Sequence, residues 1–270
     1  MSNKNDSLGD RMKGYEDISR IYLTKRMPVI IRIDGKAFHS FTKGFQRPFD
    51  DALIKTMQGT AKYLCENIMG CKLAYTQSDE ISLLLIDYER IETQPWFENN
   101  LQKIVSIAAS MATLAFNKLF VEALPPMDTL SAEQVNHYWN AINKGAMFDA
   151  RAFILPKEEV CNYFIWRQQD ATRNSIQMAA QALFSHNQLQ NKNCNQLQEM
   201  MFQEHNINWN DYATVYKRGS CCIRKEHRIQ NEVLKDAYET IVTHRWEVDD
   251  NIPIFTQDRD YIDRLVFVDV

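Results

Sequence analysis

The six cysteines of this chain, at 65, 71, 161, 194, 221 and 222, form no CxxC pair and no Cys/His spacing of the kind that holds zinc. Four of them lie in apolar stretches, so they read as reduced core residues rather than a disulfide framework. Cys221 and Cys222 are adjacent, and neighbours on a strand point to opposite faces, so the pair is assigned no chemistry. There is no apolar segment at the amino end with the form of an export signal and no long uncharged apolar run. A cytoplasmic protein without membrane contact is therefore the expectation. Positive charge is not in excess either: 31 Lys and Arg stand against 35 Asp and Glu, a net charge of −4. That argues mildly against a protein that only coats nucleic acid, while leaving room for a local basic groove. No internal repeat is visible. With 270 residues, 45% of them hydrophobic and 24% charged, the chain is long enough to bury a substantial core.

What is present is an apolar run from Leu73 to Ile86, LAYTQSDEISLLLI, broken once by Gln77-Ser78-Asp79-Glu80. It reads as two buried strands joined by a tight acidic turn. Carboxylates beside a core are disfavoured unless a cation compensates them, and Mg²⁺ is the obvious candidate. A second short run, Val29-Ile30-Ile31-Arg32-Ile33, ends at Asp34-Gly35 and presents a carboxylate at the end of a strand. Between the two, Leu53, Met57, Ala61, Leu64, Cys65 and Ile68 keep a helical spacing, with Asp50 or Asp51 as N-cap. Strand, helix, strand, acidic turn, strand, joined by a right-handed crossover, brings Asp34 and Asp79 to one edge of one sheet. Mg²⁺ is usually held by one or two carboxylates plus substrate phosphates, and palm-type nucleotidyl transferases and nucleotide cyclases use this arrangement.

The loop that follows Gly35 lacks a Walker glycine pattern but offers Lys36, His39, Lys43 and Arg47 to phosphate oxygens. Leu8, Met12, Tyr15, Ile18, Ile21 and Tyr22 are spaced as the face of an amphipathic helix packed on the core. Helical patterns run from 96 to 120, with Lys103 among its few charges, weakly from 132 to 142, and from 157 to 184. A strand closed by a proline spans 148 to 156. An Asn/Gln-rich connector covers 187 to 195. Thr214-Val215-Tyr216 and Cys221-Cys222-Ile223 read as the strands of a hairpin whose tip, Lys217-Arg218-Gly219-Ser220, is basic: a solvated turn, or a contact to an RNA backbone. The tail ends in Leu265-Val266-Phe267-Val268 and is expected to dock on the core.

Several of these segments together carry a resemblance: RIDGKAFHSF (32 to 41), YTQSDEISLL (75 to 84), Lys103 through VSIAAS, FDARAFILP (148 to 156), WRQQDATRNS (166 to 175), and HNINWN followed by YKRGS (205 to 220). The sequence resembles the tRNA(His) guanylyltransferase family over roughly residues 28 to 225. Where the guanylyltransferases proper continue WRQxD into a His-Ile-Asn-Asn segment, this chain has Thr172-Arg173-Asn174-Ser175, and Leu197 stands where they keep a lysine. The resemblance is therefore to the Thg1-like branch of 3′-to-5′ RNA polymerases. It implies an α+β fold, a polymerase-palm-like (ferredoxin-like) antiparallel sheet with flanking helices. The palm-like catalytic domain with helical tRNA-contacting elements would cover 1–225, and a C-terminal extension 226–270.

The same resemblance implies two Mg²⁺ ions held by Asp34, the Gly35 carbonyl and Asp79, with ATP or GTP as substrates. Asp34, Gly35, Lys36, Ala37, Phe38, His39, Ser78 and Asp79 would bind the nucleotide, with Arg47 and Lys103 on its triphosphate. Glu80 joins Asp34 and Asp79 as a catalytic candidate, in the role of supporting the turn rather than ligating metal. Arg151, Arg167 and Asn174 fall in segments that face nucleotide or tRNA, and the basic Lys217 and Arg218 join them as tRNA contacts. A homotetramer, a dimer of dimers, is implied as well. The expected activity is template-dependent addition of nucleotides to the 5′ end of tRNA: ATP or GTP activates that end, and the 3′-hydroxyl of the incoming nucleotide attacks it. Non-templated G(−1) addition to tRNA(His) and a cyclase-type palm enzyme are the alternatives.

Overall fold

A computed structural model describes residues 7–234 and 237–267, with side chains outside 229–240. The chain runs α1 (Ser7–Ile18), β1 (Val29–Gly35), α2 (Phe38–Phe41), α3 (Asp51–Asn67), β2 (Cys71–Gln77), β3 (Glu80–Leu85), α4 (Leu101–Ala123), α5 (Ala132–Lys144), β4 (Phe148–Ile154), α6 (Lys157–Gln181), α7 (His186–Leu189), α8 (Cys194–His205), α9 (Thr214–Arg218), β5 (Ser220–Leu234), β6 (Ala237–Asp249) and α10 (Asp260–Val266). One antiparallel sheet holds six strands in the order β4-β1-β3-β2-β5-β6. Its first four strands have the ferredoxin-like order expected of a palm, and β5–β6 extends the sheet beyond β2.

The period-2 alternation of the strands sends their side chains to two different cores. Ile31, Ile33, Ile81, Leu83 and Ala74 face α3 and α4, where Met57, Leu64, Ile104, Ala108, Phe116 and Phe120 meet them. Ile30, Leu84, Leu73 and Tyr75 face the opposite side, against Val160 and Phe164 of α6 and against Ile252, Phe255, Ile262 and Phe267. Cys222 belongs to the first core and Cys221 to the second. The adjacent cysteines do point to opposite faces. By length and composition α4 could cross a membrane; here its Ile104, Ala108, Ala112, Phe116 and Phe120 stripe is buried on the sheet.

Several expectations are corrected. No hairpin surrounds Lys217-Arg218: residues 214–218 form α9, and Gly219, at φ +77°, turns the chain into β5. A Cβ there would strike the Thr76 carbonyl, so the glycine marks a close backbone approach rather than a hairpin tip. The expected boundary at 225/226 falls inside β5, so the C-terminal part is continuous with the sheet. The tail does dock, through Val266 and Phe267, while Val268 lies outside the described residues. The helix α1 forms, but none of its residues is buried, so its apolar face is not packed on the core.

Candidate active site

β1 ends and the β2–β3 turn begins at the same edge of the sheet, because β1 and β3 pair in register with Asp34 opposite Glu80. Gln77 and Glu80 flank a two-residue turn in which Ser78 takes a left-handed φ of 50°, as tight hairpins require. The Gly35 amide donates to the Asp79 carbonyl at 3.0 Å, tying the strand end to the turn. Gly35 also leaves room for the Phe38 ring, which a Cβ would overlap. Phe38 itself is anchored by Phe41, Phe116 and Phe148, with centroids 5.1 to 5.5 Å away.

Asp34 and Asp79 are near enough for their charges to oppose one another. Burial raises the Asp79 pKa, the Ser78 hydroxyl (3.0 Å) and its own amide counter the rise, and Asp34 adds to it. Glu80 is also raised, first by burial and against the pull of Arg167 and Arg32. Its carboxylate is 7% exposed and is turned to Arg167, whose Nε and Nη2 donate to its two oxygens at 2.7 and 2.8 Å. The Arg167 Nη2 donates to Asp170 as well, and Asp170 accepts from Arg173.

A cleft of about 610 Å³ opens at this edge, lined by Gly35, Ala37, Phe38, His39, Thr42, Lys43, Gln46, Arg47, Ser78, Asp79, Met178 and Gln181 among others. Asp50 holds the loop on its far side: it caps α3 through the Leu53 amide and accepts from the Gln46 amide and the Tyr138 hydroxyl. Asp79 lines the cleft together with His39, Lys43 and Arg47, and Asp34, outside the lining, is close enough to repel it. This donor set suits a polyphosphate with a divalent cation. Among the described residues no three His, Cys, Asp or Glu side chains converge as a complete protein cage. Two carboxylates and a carbonyl, completed by water and phosphate, fit Mg²⁺ without one.

Most of the expected nucleotide residues meet in this cleft; Asp34, Lys36 and Lys103 do not line it. The Lys36 side chain is exposed and its amide is bonded to the Met147 carbonyl. Lys103 stands in the first turn of α4, 6.0 Å from the Phe97 ring. Phe116, which packs on Phe38 of the cleft, lies thirteen positions further along α4, about 20 Å of helix. The expectation that Arg167 faces tRNA is corrected too: it is 5% exposed and committed to Glu80. Asn174 shares a helix face with Asp170, Met178 and Gln181, one turn before the cleft. Lys217 and Arg218 line a separate cleft with Arg173 and Trp209, and Arg151 lies exposed on β4. Met178 and Gln181 were missed because a helical stripe reads first as core, and Gln46 because it lies in a loop with no periodicity.

Comparison with known proteins gives the chain a family. A family model described as Thg1, tRNA(His) guanylyltransferase, matches residues 9–156, and one for the Thg1 C-terminal domain matches 158–263. The chain belongs to the Thg1 family. It is a nucleotidyltransferase. A bacterial Thg1-like protein solved in complex with ATP is 47% identical, with a TM-score of 0.79 over 97% of this chain and 99% of that one. A second such structure, in complex with GTP, is 45% identical with a TM-score of 0.77, covering 97% and 100%. The tRNA(His) guanylyltransferase of Debaryomyces hansenii is 29% identical over 73% of each chain. The two departures from the guanylyltransferase pattern have structural places in this Thg1 chain. The Ser175 hydroxyl accepts from the Trp209 indole at 3.0 Å, and Leu197 is buried beside Phe184 and Met201.

Proposed function

We propose that this protein restores the 5′ end of tRNA by adding nucleotides in the 3′-to-5′ direction, each chosen by pairing with the opposite strand. The observation that carries the reading is the meeting of Asp34 and Asp79 at one sheet edge, with Asp79 lining a cleft that also holds Lys43 and Arg47, in a chain that aligns nearly end to end with Thg1-like proteins bound to ATP and to GTP.

Phosphoryl transfer asks a protein mainly to position reactants and neutralise charge. His39, Lys43 and Arg47 grip the triphosphate of ATP or GTP and hold it against the sheet edge. Asp34, Asp79 and the Gly35 carbonyl are the groups that would hold Mg²⁺. When bound, it would supply charge neutralisation on the leaving pyrophosphate and a lowered pKa for the attacking hydroxyl. The Ser78 hydroxyl orients Asp79, and the Glu80–Arg167 pair anchors the turn to α6. Asn174, Arg173, Lys217 and Arg218 offer donors to the RNA on the α6 side. A homotetramer would cover the apolar residues left open on α1, Leu8, Tyr15 and Ile18.

The test is a tRNA with a 5′-monophosphate that lacks its first nucleotide, incubated with Mg²⁺, ATP and all four nucleoside triphosphates. Restoration confined to the pairing nucleotide is expected. Equal addition of G to intact tRNA(His) would point to non-templated guanylylation, and no extension on any tRNA would defeat the reading.

A further inference from the structure

At the active-site edge Arg32 carries a buried nitrogen that has no partner among the described residues. Arg32 lies on β1 two residues before Asp34, on the same face of the sheet, since Ile30 of that face packs toward α6 while Ile31 and Ile33 pack toward α3 and α4. Its Nε is buried and has no hydrogen-bond partner, and its guanidinium makes no ion pair among the described residues. One candidate carboxylate is Glu80, whose pKa the Arg32 charge lowers. Both Glu80 oxygens, however, are already taken by Arg167.

The cross-strand neighbour of Arg32 on β4 is Arg151, which points to the same face. Like charges directly opposite on a sheet are unfavourable. Arg151 has only a 3.8 Å contact to Asp149, and both side chains are more than half exposed, so that contact relieves little. Two adjacent guanidiniums, one partly buried and unpaired, thus sit directly behind the row Asp149, Asp34 and Glu80. Buried polar groups are almost always satisfied, and an arginine fork matches phosphate oxygens.

We propose that Arg32 and Arg151 form a phosphate-binding site, placed so that a phosphate held there lies beside Asp34. The donors of the loop, His39, Lys43 and Arg47, stand in the cleft beyond Gly35, apart from this site. Taking the RNA as ligand rests on the function proposed above. The site then holds the 5′-terminal phosphate that is to be activated, while the loop donors hold the nucleotide. A phosphate of the nucleotide itself is the other source of the same chemistry.

Affinity is measured for matched RNAs carrying a 5′-monophosphate or a 5′-hydroxyl, and separately for ATP and GTP, with wild type, Arg32→Gln, Arg32→Lys and Arg151→Gln. The wild type is expected to prefer the 5′-phosphate by about tenfold or more, the scale of charge-assisted hydrogen bonds. In Arg32→Gln the preference should fall close to one, with 5′-hydroxyl RNA bound as before; Arg151→Gln should fall part of the way. Arg32→Lys should recover only part, because it restores charge without the fork. Loss of ATP and GTP affinity with the RNA preference intact would keep the site and assign it to the nucleotide. Unchanged affinity for all ligands in both glutamine variants would overturn it. Should Arg32→Gln fail to fold, the exposed Arg151 position decides alone. Because binding is read without turnover, a wild type that extends no tRNA but loses phosphate preference on substitution would sink the function and spare the site. Extension with an unchanged preference would do the reverse.

Discussion

Arg167 reaches from α6 to Glu80 at the start of β3, making two hydrogen bonds of 2.7 and 2.8 Å across 87 positions of sequence. Neither side chain is more than a tenth exposed. The pair clamps the acidic turn from behind, leaving Asp79 at the cleft and taking Glu80 out of it. Removing one partner strands a buried charge, which costs far more than the intact pair contributes. Arg167→Met is expected to destabilise the protein by about 3–5 kcal/mol, measured by urea unfolding. The Glu80→Gln/Arg167→Met double variant should lose less than the sum of the two single changes.

Asp79 gives a pH-dependent signature. Its pKa is raised in the folded protein, chiefly by burial. Its contribution to stability is therefore full below the unfolded pKa and is lost as pH rises through the folded one. Without divalent cation, Asp79→Asn should be more stable than wild type at neutral pH, and the difference should close as pH falls toward the ordinary aspartate range. The same variant should lose activity by about a thousandfold or more, the scale seen when a main charge-stabilising group is removed. Equal melting curves at pH 7 in EDTA would contradict the burial argument.

Two glycines should respond in opposite directions to alanine. At Gly35 the added methyl overlaps the Phe38 ring, itself locked in an aromatic cluster, so Gly35→Ala should destabilise by about 1–3 kcal/mol and lower kcat/KM by disturbing the Asp34–Asp79 edge. At Gly14, inside the exposed α1, nothing stands within 4 Å. Gly14→Ala should be neutral or stabilising by up to about 1 kcal/mol, through helix propensity alone. Thermal melts of both variants check the pair.

Arg47 lines the cleft and Lys103 does not. Arg47→Ala is expected to weaken ATP binding by about tenfold or more, as loss of a hydrogen-bonded cation does. Lys103→Ala should leave it nearly unchanged in titration calorimetry. A matching loss at Lys103 would mean that a neighbouring subunit delivers that lysine to the cleft.

The sequence by itself determined the local order strand, helix, strand, acidic turn, strand, and with it the two aspartates. These features depend on hydrophobic period, a cap at Asp50 and a two-residue turn, all of which act over a few residues. The family motifs added the strand order that periodicity alone leaves open. What only the tertiary structure decided are the partners of the charged side chains. Arg167 reads in sequence as an RNA contact and is in fact spent on Glu80; Arg32 reads as part of an apolar strand and is left opposite Arg151 with no ion pair among the described residues. Lys103 reads as a triphosphate ligand and stands about 20 Å of helix away from Phe116, which packs on Phe38 of the cleft. The physical reason is common to all three: a pattern reports which face of an element is apolar, whereas a charge is satisfied by whatever group the packing of distant elements brings within about 3 Å of it.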